Sequence, residues 1–187
     1  MTLTIRSFSS HVPLLRAVSA VIRPASILET GSGFYSTALF LNRDAFPYLT
    51  RLTSVENLPA WHQQVAGSIR DERHHYCLHQ GAIALWVKEH ADLSPDLAFV
   101  DDSKTGPERM ETIKEIAGMS WPCPVVIHDY QYKGYQRVGR AAFDKEFIYV
   151  PPNGLPQTGM LWRGDAVTDA QLQEIRALLD QMEVVRG

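Results

Sequence analysis

The stretch Ser26-Ile27-Leu28-Glu29-Thr30 runs directly into Gly31-Ser32-Gly33, and a helical pattern begins at Ser36. A short strand that hands over to a helix through a glycine turn constrains this chain more than any other feature, because the same alternation recurs downstream. The pattern predicts a helix over 36–41, a second strand over 49–56 with a helix over 58–68, and a third strand over 75–79 that ends at Gly81. A helix over 83–90 follows, then a fourth strand, Leu97-Ala98-Phe99-Val100, which closes on Asp101 and Asp102. A helix over 108–116 and a fifth strand over 124–127 complete the series. Ahead of it, residues 11–23 place Val12, Leu15, Val18, Ala20 and Ile22 on a rough helical face that Pro24 closes. Strands with nearly continuous apolar runs, alternating with helices, belong to a parallel sheet buried on both faces.

The last third of the chain breaks this rhythm. Strands over 147–150 and 159–162 are joined by Pro151-Pro152-Asn153-Gly154-Leu155-Pro156, which leaves no room for a crossover helix, so the pair must be antiparallel. A helix over 169–182 ends the pattern, with Leu172, Ile175, Leu178, Leu179 and Met182 on one stripe that can pack on the sheet or on a second copy in a homodimer. With 187 residues, 45% hydrophobic and 21% charged, one domain over 1–187 is expected. A formal charge of −3 and no basic block give no reason to expect a nucleic-acid partner. Cys77 and Cys123 form neither a CxxC pair nor a zinc spacing and are expected as free thiols, which fits a cytoplasmic location. The apolar segment 12–22 is too short to span a bilayer and is broken by Arg16, so neither membrane insertion nor export is expected.

The first glycine turn sits where a doubly wound sheet binds its ligand. Glycine there lets the backbone approach a cofactor, or simply supplies the positive φ of a tight turn. Glu56, at the end of the second strand, can accept both hydroxyl hydrogens of a ribose, or be a solvated strand end. Taken in order, Glu29-x-Gly31-x-Gly33, Ser54-Val55-Glu56, Phe99-Val100-Asp101-Asp102 and Val126-Ile127-His128-Asp129-Tyr130 resemble the successive motifs of class I S-adenosylmethionine-dependent methyltransferases, over about residues 10–165. The resemblance implies a Rossmann-like α/β fold with a mostly parallel seven-stranded sheet, an antiparallel terminal strand and helices on both faces. It implies that Gly31 and Gly33 pass beside the methionine part of the cofactor and that Glu56 holds the ribose. Gly81 and Ala82 would line the adenine, and Glu29, Ser32 and Asp101 would complete the cofactor-lining set.

Asp101-Asp102-Ser103-Lys104 followed by Asp129 is similar, more narrowly, to metal-dependent O-methyltransferases of the catechol and caffeoyl-coenzyme A type. That resemblance implies Mg²⁺ held by Asp101 and Asp129, with Lys104 taking the proton of the attacking hydroxyl, and the chemistry is sound because Mg²⁺ prefers oxygen ligands and lowers the pKa of a bound hydroxyl. Tyr130, however, stands where those enzymes carry a metal-binding asparagine. His128-Asp129-Tyr130 is equally similar to a branch acting on sugars or other small molecules, where His128 can serve as the general base.

Other features carry less. His74, His75 and His79 lie along a strand where only every second side chain shares a face, so His75 and His79 could face together, which is weak support for a zinc site. Tyr130, Tyr132 and Tyr135, with Lys133 and Arg137, can stack a flat acceptor at the rim or cover apolar surface. Ser9, Ser10 and His11 form no nucleophile motif. The expectation is O-methylation of a small-molecule acceptor. The alternatives are a non-catalytic S-adenosylmethionine-binding protein and, because Gly31-x-Gly33-x-x-Ser36 approaches a dinucleotide fingerprint, a nicotinamide oxidoreductase.

Overall fold

Each apolar run ends where a glycine, a carboxylate or a proline-rich turn follows it, and the computed structural model carries this punctuation into the elements themselves. It describes residues 9–102, 106–152, 154 and 156–184. In chain order these are α1 (Val12–Ile22), β1 (Ser26–Thr30), α2 (Ser36–Leu41), β2 (Arg51–Glu56), α3 (Pro59–Ser68), β3 (His74–Leu78) and α4 (Ile83–Glu89). They continue as β4 (Leu97–Val100), α5 (Gly106–Gly118), β5 (Val125–His128), α6 (Lys133–Ala142), β6 (Lys145–Tyr149), β7 (Thr158–Trp162) and α7 (Asp169–Val184).

The strands form one sheet in the order β3-β2-β1-β4-β5-β7-β6. β1 to β5 are parallel, while β7 runs antiparallel to both β5 and β6. This is the mostly parallel seven-stranded sheet with an antiparallel terminal strand that the family resemblance implied, and the terminal antiparallel pair is the one the short 151–156 connection required. The chain builds from β1 to β3 toward one edge, then crosses back to lay β4 on the other side of β1. At that reversal the connections leave toward opposite faces, which opens a crevice beyond the carboxyl ends of β1 and β4.

Alternation along the strands divides the core. Ile27 and Phe99 face a layer with Leu14, Leu15 and Val18 of α1, Phe40 of α2, and Ile175 and Leu179 of α7. Leu28 and Val100 face the opposite layer with Trp86 of α4, Ile113 of α5 and Val138 of α6. The terminal helix thus packs its apolar stripe beside α1 on the sheet. β3 departs from the expectation of strands buried on both faces: it is an edge strand, with His75 and Leu78 exposed. The helix α6 was not foreseen: only Tyr135, Val138 and Gly139 of its ten residues are buried, and two glycines and four polar or charged residues keep its overall apolarity low. Among the described residues no helix is long and apolar enough to cross a membrane.

Candidate active site

Gly31 adopts φ +77°, and a Cβ there would stand 2.5 Å from the Asp101 carbonyl oxygen and 2.6 Å from Asp102 Cα. Both the turn and the close approach of β4 therefore demand glycine. Gly33 differs: its φ is not positive, and a Cβ would meet only Ser36 Oγ at 3.4 Å. No strain in the turn requires a glycine at that position, whereas an open approach for a ligand would use one.

The turn is tied down by Glu56. Its Oε2 accepts from the Ser32 amide and hydroxyl, each at 3.2 Å, and its Oε1 accepts from the Asn57 and Leu58 amides, each at 2.9 Å. Trp61 Nε1 donates to the Ser32 carbonyl at 2.7 Å, and the Ser32 hydroxyl also meets Tyr76 Oη. Together Gly31, Ser32, Glu56, Leu58, Trp61 and Asp101 line a cleft of about 710 Å³, a volume suited to a cofactor-sized ligand. Gly81 and Ala82 stay exposed at the end of β3 and connect to this cleft through Asn57, whose Nδ2 donates to Gly81 O at 3.4 Å.

Glu29 lies behind the turn and is fully buried. Its Oε2 accepts from Thr37 Oγ1 at 2.8 Å and Ser54 Oγ at 2.5 Å. Burial pushes its pKa up from 4.5 to about 7, against the opposing hydrogen bonds of Ser36, Ser54 and Thr37. A carboxyl whose folded-state pKa is raised contributes its stability below the unfolded pKa and loses it as pH rises through the folded one. For Glu29 that window runs from 4.5 to about 7. The ligand-free protein is expected to lose roughly 2–3 kcal/mol through this group between pH 5 and 8. Glu29→Gln should flatten that dependence in urea unfolding measured at both pH values; an unchanged slope would show that Glu29 is not its source.

Beyond the turn, the ends of β4 and β5 gather a second group. Phe99 and Asp101 share one face of β4, and Val126 and His128 share the same face of β5. His128 Nδ1 lies 3.2 Å from Asp101 Oδ2, and His128 Nε2 meets Ser10 Oγ at 3.1 Å. Because α1 packs on this face, its N-cap residue His11 comes to rest over both strand ends, its ring centroid 5.1 Å from Phe99 and 4.8 Å from His128. The His11 ring is 2% exposed, and neither of its nitrogens has a hydrogen-bond partner. Burial, then the neighbouring His128, lowers its pKa to about 3, so the ring is neutral. Burial works to raise the Asp101 carboxyl, but His128, Arg109 and His11 outweigh it and hold the pKa below the ordinary value. For His128, burial works to lower the pKa, and Asp101 and Asp129 outweigh it in the other direction.

The opposite face of the same strand ends is organised by Arg109 of α5, which the sequence did not single out. Its guanidinium is 3.0 Å from Asp101 Oδ1 and 3.5 Å from Asp129 Oδ2. It also donates to the backbone carbonyls of Asp102 at 2.6 Å and His128 at 3.3 Å, and lies over the Tyr135 ring. Asp102 points away from the cleft and is buried, accepting from Thr30 Oγ1 and Thr112 Oγ1. An arginine fork thus spans Asp101 and Asp129, the two carboxylates of the expected Mg²⁺ site, and competes with an ion for their charge.

The remaining expectations sort by burial. Tyr130, at the asparagine position, is completely buried, packs on Gly159 of β7 and donates to Glu146 Oε2 at 3.1 Å. It is a core residue, as is Tyr135, whereas Tyr132 is 49% exposed. His74 meets Ser54 Oγ and stacks on Tyr76, and His75 is exposed. Among the described residues the metal-ligating side chains that converge are His11, Asp101 and His128, not the β3 histidines. Cys77 and Cys123 are free. Lys104 lies outside the described residues.

No family model and no curated protein sequence matches this chain. Solved structures match in fold. Human methyltransferase-like protein 13 in complex with SAH superposes with a TM-score of 0.64 at 16% identity, over 92% of this chain and 88% of that one. The O-methyltransferase TomG from Streptomyces achromogenes, in complex with SAM, gives 0.61 at 20% identity, over 87% and 82%. Spermidine synthase from Thermotoga maritima gives 0.57 at 14% identity, over 86% and 60%. The chain therefore has the fold of class I methyltransferases, a fold shared by a spermidine synthase, so the fold alone does not fix the activity.

Proposed function

We propose that this protein is an S-adenosylmethionine-dependent methyltransferase that methylates an oxygen of a small molecule. The observation that carries the proposal is the adjacency of two sites sharing Asp101: the cleft lined by Gly31, Ser32 and Glu56, and the buried His11–Asp101–His128 group. The first has the size and the carboxylates for a cationic nucleoside cofactor. The second offers an imidazole and a carboxylate beside that cleft to take the proton of an acceptor hydroxyl. The solved structures of this fold with SAH and SAM bound support the same assignment.

When bound, S-adenosylmethionine supplies an electrophilic methyl group. The chain's own part is to bind, orient and deprotonate. Gly31 keeps the turn low against β4, and Gly33 leaves space beside it. Glu56 is the group suited to ribose hydroxyls, although its two oxygens already accept from four protein donors. A carboxylate has about four lone-pair sites, so each ribose hydroxyl must displace one of these donors, and the Ser32 hydroxyl can yield first because Tyr76 Oη offers it another partner. The acceptor hydroxyl is assigned to the His128 side of Asp101, and the apolar wall of Leu58 and Trp61 limits water at the other end of the cleft.

Calorimetry with S-adenosylhomocysteine is the first test, with NAD as the control. Binding should be accompanied by a raised thermal midpoint, and Glu56→Ala should weaken it by roughly 1.5–3 kcal/mol. Absence of binding at saturating ligand would remove the proposal, while NAD binding in its place would favour an oxidoreductase. A bind-only protein on the same fold would bind S-adenosylhomocysteine yet yield no methylated product across a panel of hydroxylated acceptors.

A further inference from the structure

We propose that His11, Asp101 and His128 together form a binding site for one divalent first-row transition cation such as Zn²⁺ or Co²⁺, open on the side of the cleft. One ligand atom from each residue lies within 4.8 Å of the others. His128 Nδ1 and Asp101 Oδ2 are already 3.2 Å apart, the separation of two neighbouring ligands on one ion whose bonds are about 2.0–2.2 Å. His11 makes no hydrogen bond that would stop its ring turning to complete the set.

Two features separate this group from a packed histidine pair. A buried imidazole without a partner is costly, since an unmade hydrogen bond on a buried polar group costs about 1–3 kcal/mol. His11 leaves two such nitrogens, and an ion would engage one of them. The other two members are also held from behind. Ser10 Oγ meets His128 Nε2 and leaves Nδ1 facing inward, while Arg109 holds Asp101 Oδ1 and leaves Oδ2 facing inward. Metal ligands are commonly oriented by such outer partners.

The donor set selects the ion. Two imidazole nitrogens and one carboxylate suit Zn²⁺, Fe²⁺ or Co²⁺, whereas Mg²⁺ and Ca²⁺ require oxygen ligands. Three protein ligands leave a position open for water or an acceptor oxygen. Asp101 lines the cleft as well as the ion site, so that position would adjoin the cofactor cleft. The acceptor's place on the ion rests on the methyl-transfer proposal; binding of the ion does not.

The test uses the full-length protein stripped with a chelator, desalted and titrated with Co²⁺. Its visible absorption reports nitrogen and oxygen ligation, Zn²⁺ serves as competitor and Mg²⁺ as control. Expected is one Co²⁺ per chain, displaced by Zn²⁺ and untouched by Mg²⁺. His11→Phe keeps the ring packing on Phe99 and removes both unpartnered nitrogens. It should melt no lower than the metal-free wild type and bind Co²⁺ roughly 100-fold or more weakly. Should it fail to fold, His11→Gln and Asp101→Asn are expected to give the same loss. No saturable Co²⁺ binding, or binding undiminished in these variants, overturns the site. S-adenosylhomocysteine calorimetry on the same samples separates the two proposals. Nucleoside binding without Co²⁺ binding removes the ion site alone, and Co²⁺ binding without nucleoside binding upholds it while removing the methyl-donor assignment.

Discussion

His128→Ala is expected to lower the rate of methyl transfer by about 10²–10⁴ while leaving the affinity for S-adenosylhomocysteine nearly unchanged. The selectivity follows from where the ring stands: it is 5% exposed, close to Asp101 Oδ2 and Ser10 Oγ, and it does not line the cleft formed by the glycine turn and Glu56. The loss holds whether the ring takes the acceptor's proton itself or holds an ion that acidifies the hydroxyl, since both routes pass through the same side chain. Lys104 is the competing group, implied by the Asp101-x-x-Lys104 resemblance. Lys104→Ala and Lys104→Arg should both fail if Lys104 is the base, because a guanidinium does not give up its proton in this range. Single-turnover rates of the three variants with any accepted hydroxylated acceptor decide the matter. Full activity in His128→Ala alongside dead lysine variants would transfer the proton step to Lys104, and full activity in all of them would mean an acceptor that arrives ionised.

Arg109→Met is expected to destabilise the fold by about 3–5 kcal/mol, because removing one partner of a buried ion pair strands the charge left behind. For a domain of this size each kcal/mol moves the midpoint by about 2–4 °C, so the drop should be about 6–20 °C. Three kinds of partner are lost at once: the Asp101 carboxylate, the half-solvated Asp129 carboxylate, and the carbonyls of Asp102 and His128 at the two strand ends. Arg109→Lys should recover only part of the loss, since one ammonium cannot reach all of these groups as a planar fork does. Thermal unfolding of the two variants measures the effect. A drop of less than about 1 kcal/mol in Arg109→Met would show that water already satisfies the strand ends, and that the fork competes only weakly for Asp101 and Asp129.

How much of this protein is legible in its sequence differs sharply between fold and site. The strand–glycine–helix handover at Gly31, the closure of the fourth strand on Asp101, and the impossibility of a crossover between 150 and 159 lead to the observed sheet, because each is a local rule of backbone geometry acting over a few residues. α6 escaped notice since glycines and polar residues dominate its composition and only three of its residues are buried. The motif residues Gly31, Glu56, Asp101 and His128 were also legible, because strand ends in a parallel sheet converge wherever the chain returns to the same edge.

The partners of those residues were not legible. Arg109 is an ordinary arginine on a helix until α5 packs its guanidinium between Asp101 and Asp129 and joins the two carboxylates in an ion-pair cluster. Tyr130 reads as a rim aromatic until β7 presents Gly159, whose missing side chain makes room for the ring in the core. His11 carries no motif at all. It reaches Asp101 and His128 only because Leu14, Leu15 and Val18 fix α1 against the sheet and set its N-cap residue over the ends of β4 and β5. The sequence by itself determined where the strands end and which side chains stand at those ends, since strand, turn and helix are set by neighbours in the chain. The tertiary structure alone decided what those ends face, since burial, pairing and metal-ligand geometry depend on side chains that packing brings together from distant parts of the chain.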